Sequence, residues 1–259
     1  MSEVLLLEKL EGRIGVLTVN RPDKMNALNR EVRESLFEAL EALRHDDEVR
    51  VVVITGSGDR AFIAGADIAE FKDAGAVEQY RSMQESNIYS LMEDFPKPII
   101  AMINGYCLGG GCELSMACDI RIASDRAKLG QPEVNLGIIP GGGGTQRLPR
   151  LVGEGRAALL IMSGTLIGAD EALDIGLVDS IFPADELRDR TLEIARTIAS
   201  KSPIALQAAK ESILAARRMP LDEGLKFERA WFGLLFSTQD KNEGVGAFLE
   251  KRDPEFTGR

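Results

Sequence analysis

At 259 residues the chain is long enough to bury a sizeable core, as one large domain or a core with a small appendage. Its 31 Lys and Arg against 41 Asp and Glu give a net charge of −10, which argues against nucleic acid or an anionic membrane as a general partner. A single histidine excludes a His-rich metal site, and three cysteines with no C-x-x-C pair read as reduced thiols, small core residues of a cytoplasmic protein.

Near the start, Leu5-Leu6-Leu7 is bounded by Glu3 and Glu8, too short for a secretory apolar region. The stretch from Pro98 to Cys112 is free of charge but contains Asn, Pro and Gly. It falls short of the ~18 apolar residues of a membrane span. The chain therefore reads as soluble and untargeted.

The first predicted strand is Ile14 to Val19. Val32, Leu36, Ala39, Leu40 and Leu43 then recur at helical spacing, with Asn29 as the N-cap. His45 follows in the charged connector Arg44-His45-Asp46-Asp47-Glu48 and reads as a solvated loop residue. Val51 to Thr55 is a β-branched run of the kind buried on both faces of a sheet. Further strands are predicted at Ile99 to Ile103, Asp119 to Ala123 and Val178 to Phe182, with a helix opening near Gly110. This alternation gives an α/β class.

After Pro183 only helical patterns remain, in four segments. That places an α/β core over residues 1–190 and a helical region over 191–259. The second region carries Phe227, Trp231, Phe232, Phe236 and Phe248. Either they pack on the protein's own core or they form a subunit interface.

Four segments carry chemistry. Ala61 to Ile68 places small residues after a strand, where main chain can pass close to a ligand; Asp67 is equally readable as a helix cap. Gly109-Gly110-Gly111-Cys112-Glu113 is a glycine run opening a helix, so unpaired N–H groups and the positive end of the dipole face outward. It is neither a dinucleotide fingerprint nor a P-loop, since G-x-G-x-x-G and Gly-Lys are both missing from the chain. Glu113 is either a carboxylate stabilised by that dipole or an acid/base group. A second glutamate, Glu133, follows Gly130-Gln131-Pro132. Two carboxylates beside a backbone anion site suit proton transfer next to a developing oxyanion. Pro140 to Arg147 holds four further glycines, either a tight turn or part of a pocket wall.

Taken together and in order, Asn20 to Leu28, Ala64 to Asp67, Gly109 to Leu114, Gly130 to Glu133, Pro140 to Arg147, Phe236 to Lys241 and Ala247 to Arg252 resemble the enoyl-CoA hydratase (crotonase) superfamily over nearly the full length. The resemblance implies a spiral of repeated ββα units with a C-terminal helical trimerisation region. It also implies a homo-oligomer, a hexamer built as a dimer of trimers. By position, the N–H groups of Ala64 and Gly110 would form the oxyanion hole. Lys24, Met25, Ala27, Ala64, Ala66, Asp67, Ile68 and Gly110 would contact the acyl-CoA, with a cationic entrance near Lys24.

The implied reaction is addition of water to a trans-2-enoyl-CoA, giving a 3-hydroxyacyl-CoA, with Glu113 holding the water and Glu133 supplying the C2 proton. No metal or other cofactor is implied, coenzyme A being part of the substrate. Hydratase-like members carry both glutamates, whereas isomerase-like members commonly keep only the second. The alternative reading is a Δ3,Δ2-enoyl-CoA isomerase or another acyl-CoA enzyme of the superfamily. Residues 70–95 would help close the acyl pocket.

Overall fold

The computed structural model describes residues 3–72, 74–85 and 87–259, with the side chains of 82–85 excepted. The chain opens with β1 (Leu5–Leu10) and β2 (Ile14–Val19), an antiparallel pair. The helix α1 (Arg30–Arg44) crosses to β3 (Val51–Gly56), which runs parallel to β2. Asn29 caps α1, its side-chain oxygen accepting from the Val32 N–H at 3.0 Å.

Then follow β4 (Ala61–Ile63), α2 (Ala76–Glu85), α3 (Ile88–Glu93), β5 (Ile99–Ile103), β6 (Tyr106–Leu108), α4 (Gly110–Ala117), β7 (Ile120–Ser124) and β8 (Lys128–Gly130). A 3₁₀ turn (Pro132–Leu136) leads to α5 (Gly144–Val152), α6 (Glu154–Ser163), β9 (Leu166–Gly168), α7 (Ala169–Asp174) and β10 (Ser180–Phe182). The chain ends in α8 (Leu187–Ala199), α9 (Pro203–Arg218), α10 (Leu221–Leu235) and α11 (Gln239–Glu250).

The strands sort into two sheets, of order β1-β2-β3-β5-β7-β10 and β4-β6-β8-β9. In each of the pairs β3–β4, β5–β6 and β7–β8, the first strand joins the large sheet and the second joins the small one. This is the repeated ββα winding of the crotonase-like α/β fold.

The β3 run is buried throughout because both faces of the large sheet are covered. Successive side chains alternate in direction. Val52 and Ile54 enter the core shared with Leu36, Leu40 and Phe62, whereas Val51 and Val53 meet Leu187, Leu192 and Ala195 of α8 on the other face. The expected division at residue 190 thus falls inside a helix whose apolar side lies on the core sheet.

α9 is also tied to that core. Lys210 sits 2.9 Å from Asp119 and donates to the carbonyls of Met92 and Lys97. The helix that leaves the core is α10, none of whose residues is buried. Phe232, Phe236 and Phe248 are 64, 56 and 82 % exposed, so these aromatics do not pack on the protein's own core. No helix among the described residues is long and apolar enough to cross a membrane.

The segment 20–28 is a folding clip. Buried Asn26 adopts a left-handed backbone (φ +57°) and its amide nitrogen donates to the carbonyls of Ser57 and Ala61. The clip lays Leu28 beside Ala66 in a one-residue parallel bridge. The N–H of Leu28 donates to the Gly65 carbonyl, and that of Asp67 to the Leu28 carbonyl.

Candidate active site

α4 is apolar on every side and buried from Gly111 through Ala117. Glu113 is the exception in kind, a carboxylate 3 % exposed inside this helix. Its Oε1 accepts the Gly144 N–H at 2.7 Å. Burial pushes its pKa up, while the N–H groups of Gly144 and Gly142 and the charge of Arg147 favour the anion. The glycine at 142 is obligatory. A Cβ there would stand 2.5 Å from the Tyr89 ring and 2.7 Å from Glu113 Oε2.

Glu133 lies in the 3₁₀ turn, and burial, reinforced by the nearby charge of Glu113, pushes its pKa up to about 7. A Cβ on Gly109 would come within 3.0 Å of Glu133 Oε1, and Gly109 has φ +48°, so glycine is required twice over. With its amide turned to donate, buried Gln131 sets its nitrogen 2.9 and 3.1 Å from the two carboxylate oxygens of Glu133. Two backbone donors and an arginine favour charge at Glu113, and that charge disfavours a second one at Glu133. The two environments therefore differ in kind, with hydrogen-bond donors offered to a charged Glu113 and burial keeping Glu133 towards its neutral form.

The backbone donors differ from the sequence expectation at one position. The N–H of Ala64 is spent on the Met25 carbonyl at 3.1 Å, so it has no hydrogen left for a ligand. Two residues on, Ala66 N stands 3.6 Å from where a Cβ of Gly110 would be. Among the described residues neither the Ala66 nor the Gly110 N–H donates to another group of the protein. The bridge between Leu28 and Ala66 uses the groups flanking Ala66 and leaves its own N–H clear. The pair of unspent donors is therefore Ala66 and Gly110.

These groups open onto one cleft of about 1,560 Å³, lined by Ala64, Ala66, Ile68, Gly110, Glu113 and Glu133 among others. Lys24, Met25, Ala27 and Asp67 do not line it. Asp67 is bound to Arg21 at 2.9 Å, which holds its carboxyl below the usual range, and caps the turn at Ala69. The basic residues at the cleft are Arg30, Arg33 and Arg81, with Arg30 paired to Glu34 at 2.7 Å and Arg33 to Glu70 at 3.0 Å.

The wall expected from residues 70–95 includes Phe71, Val77 and Tyr89. Within that span Asp73, Ser86 and the side chains of 82–85 lie outside the described residues. Tyr89, from α3, falls within the span expected to close the pocket, but its place against Gly142 and Glu113 carries no mark in the sequence. His45 is exposed at the end of α1 and takes no part. The three cysteines are free and buried.

Comparison with known proteins agrees with this architecture. The family model for enoyl-CoA hydratase/isomerase matches residues 9–259. A crotonyl-CoA hydratase of Syntrophomonas wolfei is 45% identical over 99% of both chains. A short-chain-enoyl-CoA hydratase of Clostridium acetobutylicum is 45% identical over 97% of this chain and 96% of that one. The crystal structure of an enoyl-CoA hydratase from Bacillus anthracis superposes with a TM-score of 0.95 at 40% identity, covering 99% of this chain and 100% of the other. With its ββα winding and near-complete match, the chain belongs to the enoyl-CoA hydratase/isomerase family.

Proposed function

We propose that this protein is an enoyl-CoA hydratase that adds water reversibly to a short-chain trans-2-enoyl-CoA, giving the 3-hydroxyacyl-CoA. The observation that carries the reading is the convergence, in one cleft, of two buried or half-buried glutamates and two unspent N–H donors. The thioester oxygen sits between Ala66 N–H and Gly110 N–H. As water oxygen bonds to C3, electron density passes through the C2–C3 double bond to that oxygen, and the two donors stabilise it. Removing one such preorganised donor typically costs ~3–4 kcal/mol of barrier.

Glu113, whose carboxylate is met by the Gly144 and Gly142 N–H groups, takes the proton from water. Glu133, its pKa raised to about 7 so that a substantial share is protonated near neutrality, gives its proton to C2; in dehydration the two roles reverse. Hydration therefore requires Glu113 charged and Glu133 neutral, a bell-shaped pH dependence whose basic limb reflects the Glu133 pKa of about 7. The assignment calls for no metal or redox group.

Arg30, Arg33 and Arg81 give a chain of net charge −10 the local cations that a CoA polyanion needs. Unburied α10 and the exposed Leu221, Phe232 and Leu234 support self-association, with a trimer-based hexamer as the family-like arrangement.

The test is loss of the conjugated thioester absorbance on mixing with crotonyl-CoA, with the product mass checked. Gain of one water establishes the hydratase. A double-bond shift in a 3-enoyl-CoA without hydration would instead establish the isomerase.

A further inference from the structure

The loop that holds Glu113 is itself held. Arg147, three residues into α5, reaches back and donates from Nη1 to the Gly142 carbonyl at 2.7 Å. Its Nε donates to Glu93 Oε1 at 2.8 Å. The second oxygen of Glu93 accepts from Arg218 at 2.9 Å, and Arg218 also binds Asp94 at 2.9 Å. Arg147 and Glu93 have side chains only 13 and 12 % exposed, so this is a desolvated pair rather than a surface one. The guanidinium also lies over the Tyr89 ring, 5.9 Å from its centroid. Tyr89 in turn packs on Gly142 where no Cβ could fit.

None of Glu93, Arg147 and Arg218 is a group that the proposed chemistry uses. Together they run from the end of α3, through α5, to the last turn of α9. Their common product is the position of the 142–144 main chain, whose N–H groups face the Glu113 carboxylate.

We propose that Arg147 and Glu93 are positioning residues for the hydration reaction, clamping the Gly142–Gly144 backbone against Glu113, with Arg218 holding the clamp from the C-terminal helices. Arg147 forms the fork that joins loop to helix. Glu93 fixes the fork, and without it the guanidinium has no second anchor. The proposal rests on the hydratase reading, since that reading makes the charge state of Glu113 matter. The groups facing Glu113 are Arg147 from α5, Tyr89 from α3 and Glu133 from the 3₁₀ turn.

The sign of the effect separates positioning from simple charge. Replacing Glu93 by Gln removes a negative charge, which by field alone lowers the Glu113 pKa. Loosening the clamp withdraws the Gly144 and Gly142 N–H groups and raises it.

The experiment measures kcat and KM for crotonyl-CoA across pH 5–9, with melting temperature, for wild type, Glu93→Gln, Arg147→Lys and Arg218→Lys. The Glu113 carboxyl is also titrated by ¹³C NMR, its signal assigned with Glu113→Gln. The expected result is a kcat lowered by ~10- to 100-fold in Glu93→Gln and Arg147→Lys, the scale of a ~1 Å misplacement. KM stays nearly unchanged, and the acidic limb and the Glu113 titration move to higher pH. Arg218→Lys shows the same shift, smaller.

An acidic limb that stays put or moves to lower pH in the folded variants overturns the proposal, as does a loss confined to melting temperature. Should Glu93→Gln and Arg147→Lys fail to fold, Arg218→Lys, at a half-exposed position, decides by the same titration. Absence of hydration by the wild type would sink the functional reading instead, while the Glu113 titration still decides the clamp.

Discussion

α4 and α10 are both rich in apolar residues and end in opposite circumstances. Gly111 through Ala117 of α4 are buried, and no residue of α10 is. α4 is surrounded by the chain's own sheets, α3 and α5, and can afford a desolvated glutamate because two loop N–H groups meet it. α10 packs along α9 and otherwise exposes Leu221, Phe232 and Leu234. The glutamates and N–H donors of the cleft all come from one chain and are largely enclosed by it, whereas that same chain leaves the apolar side chains of α10 uncovered.

The hardest test of that contrast is at the glutamates. Glu113→Gln and Glu133→Gln should each lower hydration kcat by at least ~10²-fold, the low end for acid/base catalysis, with sedimentation unchanged. The double variant should lose less than the product of the two, because both act on one water and one substrate. A change in assembly with Glu113→Gln would break the separation between the two regions.

Phe232→Glu tests the other side. Burying a large apolar side chain is worth ~1.5–3 kcal/mol, so self-association should weaken by ~10- to 100-fold in sedimentation. In the dissociated form KM should rise more than kcat falls, since the glutamates stay seated in their own chain.

A glycine pair sharpens the comparison further. Gly142→Ala forces a Cβ into Tyr89 and Glu113, and should cost ~1–3 kcal/mol of stability as well as activity. Gly233→Ala on α10 meets nothing within 4 Å and should stabilise the isolated chain by ~0.5–1 kcal/mol in denaturant titration.

The smallest effect concerns pH. The folded pKa of Glu133, about 7, lies above its ordinary value of 4.5, so between these the folded state binds more protons than the unfolded. Its contribution to stability is present below pH 4.5 and is lost as pH rises through 7. Glu133→Gln, which cannot ionise, should melt above wild type at pH 8, with the gap closing towards pH 4.5.

Sequence reading found those long elements that carry clear periods: α1 with its Asn29 cap, β2, β3, β5 and the four closing helices lie where the pattern puts them, whereas β1, α2 and α6 were not read. The small sheet was invisible, since β4, β6, β8 and β9 are three residues each, too short for an alternation to register. Glu113 and Glu133 were marked by neighbouring glycines and share a cleft. The choice between Ala64 and Ala66 could not be read, because it depends on which N–H the Met25 carbonyl takes. The clamp of Glu93 and Arg147 was illegible for a related reason: it depends on a contact across 54 residues, Arg147 to Glu93, that no local pattern marks.

The two walls of the cleft differ in how freely they can change. One is built from Gly109 and Gly142, positions closed to any side chain by Glu133, Glu113 and Tyr89. The other carries Ile68, Val77, Leu136, Ile138 and Ile139, all more than 40 % exposed. Mutation on the second wall can reshape the space for the acyl group while the proton-transfer machinery stays in place. Divergence in substrate preference is therefore open to single steps on the second wall, while the glycine wall that seats the glutamates tolerates none.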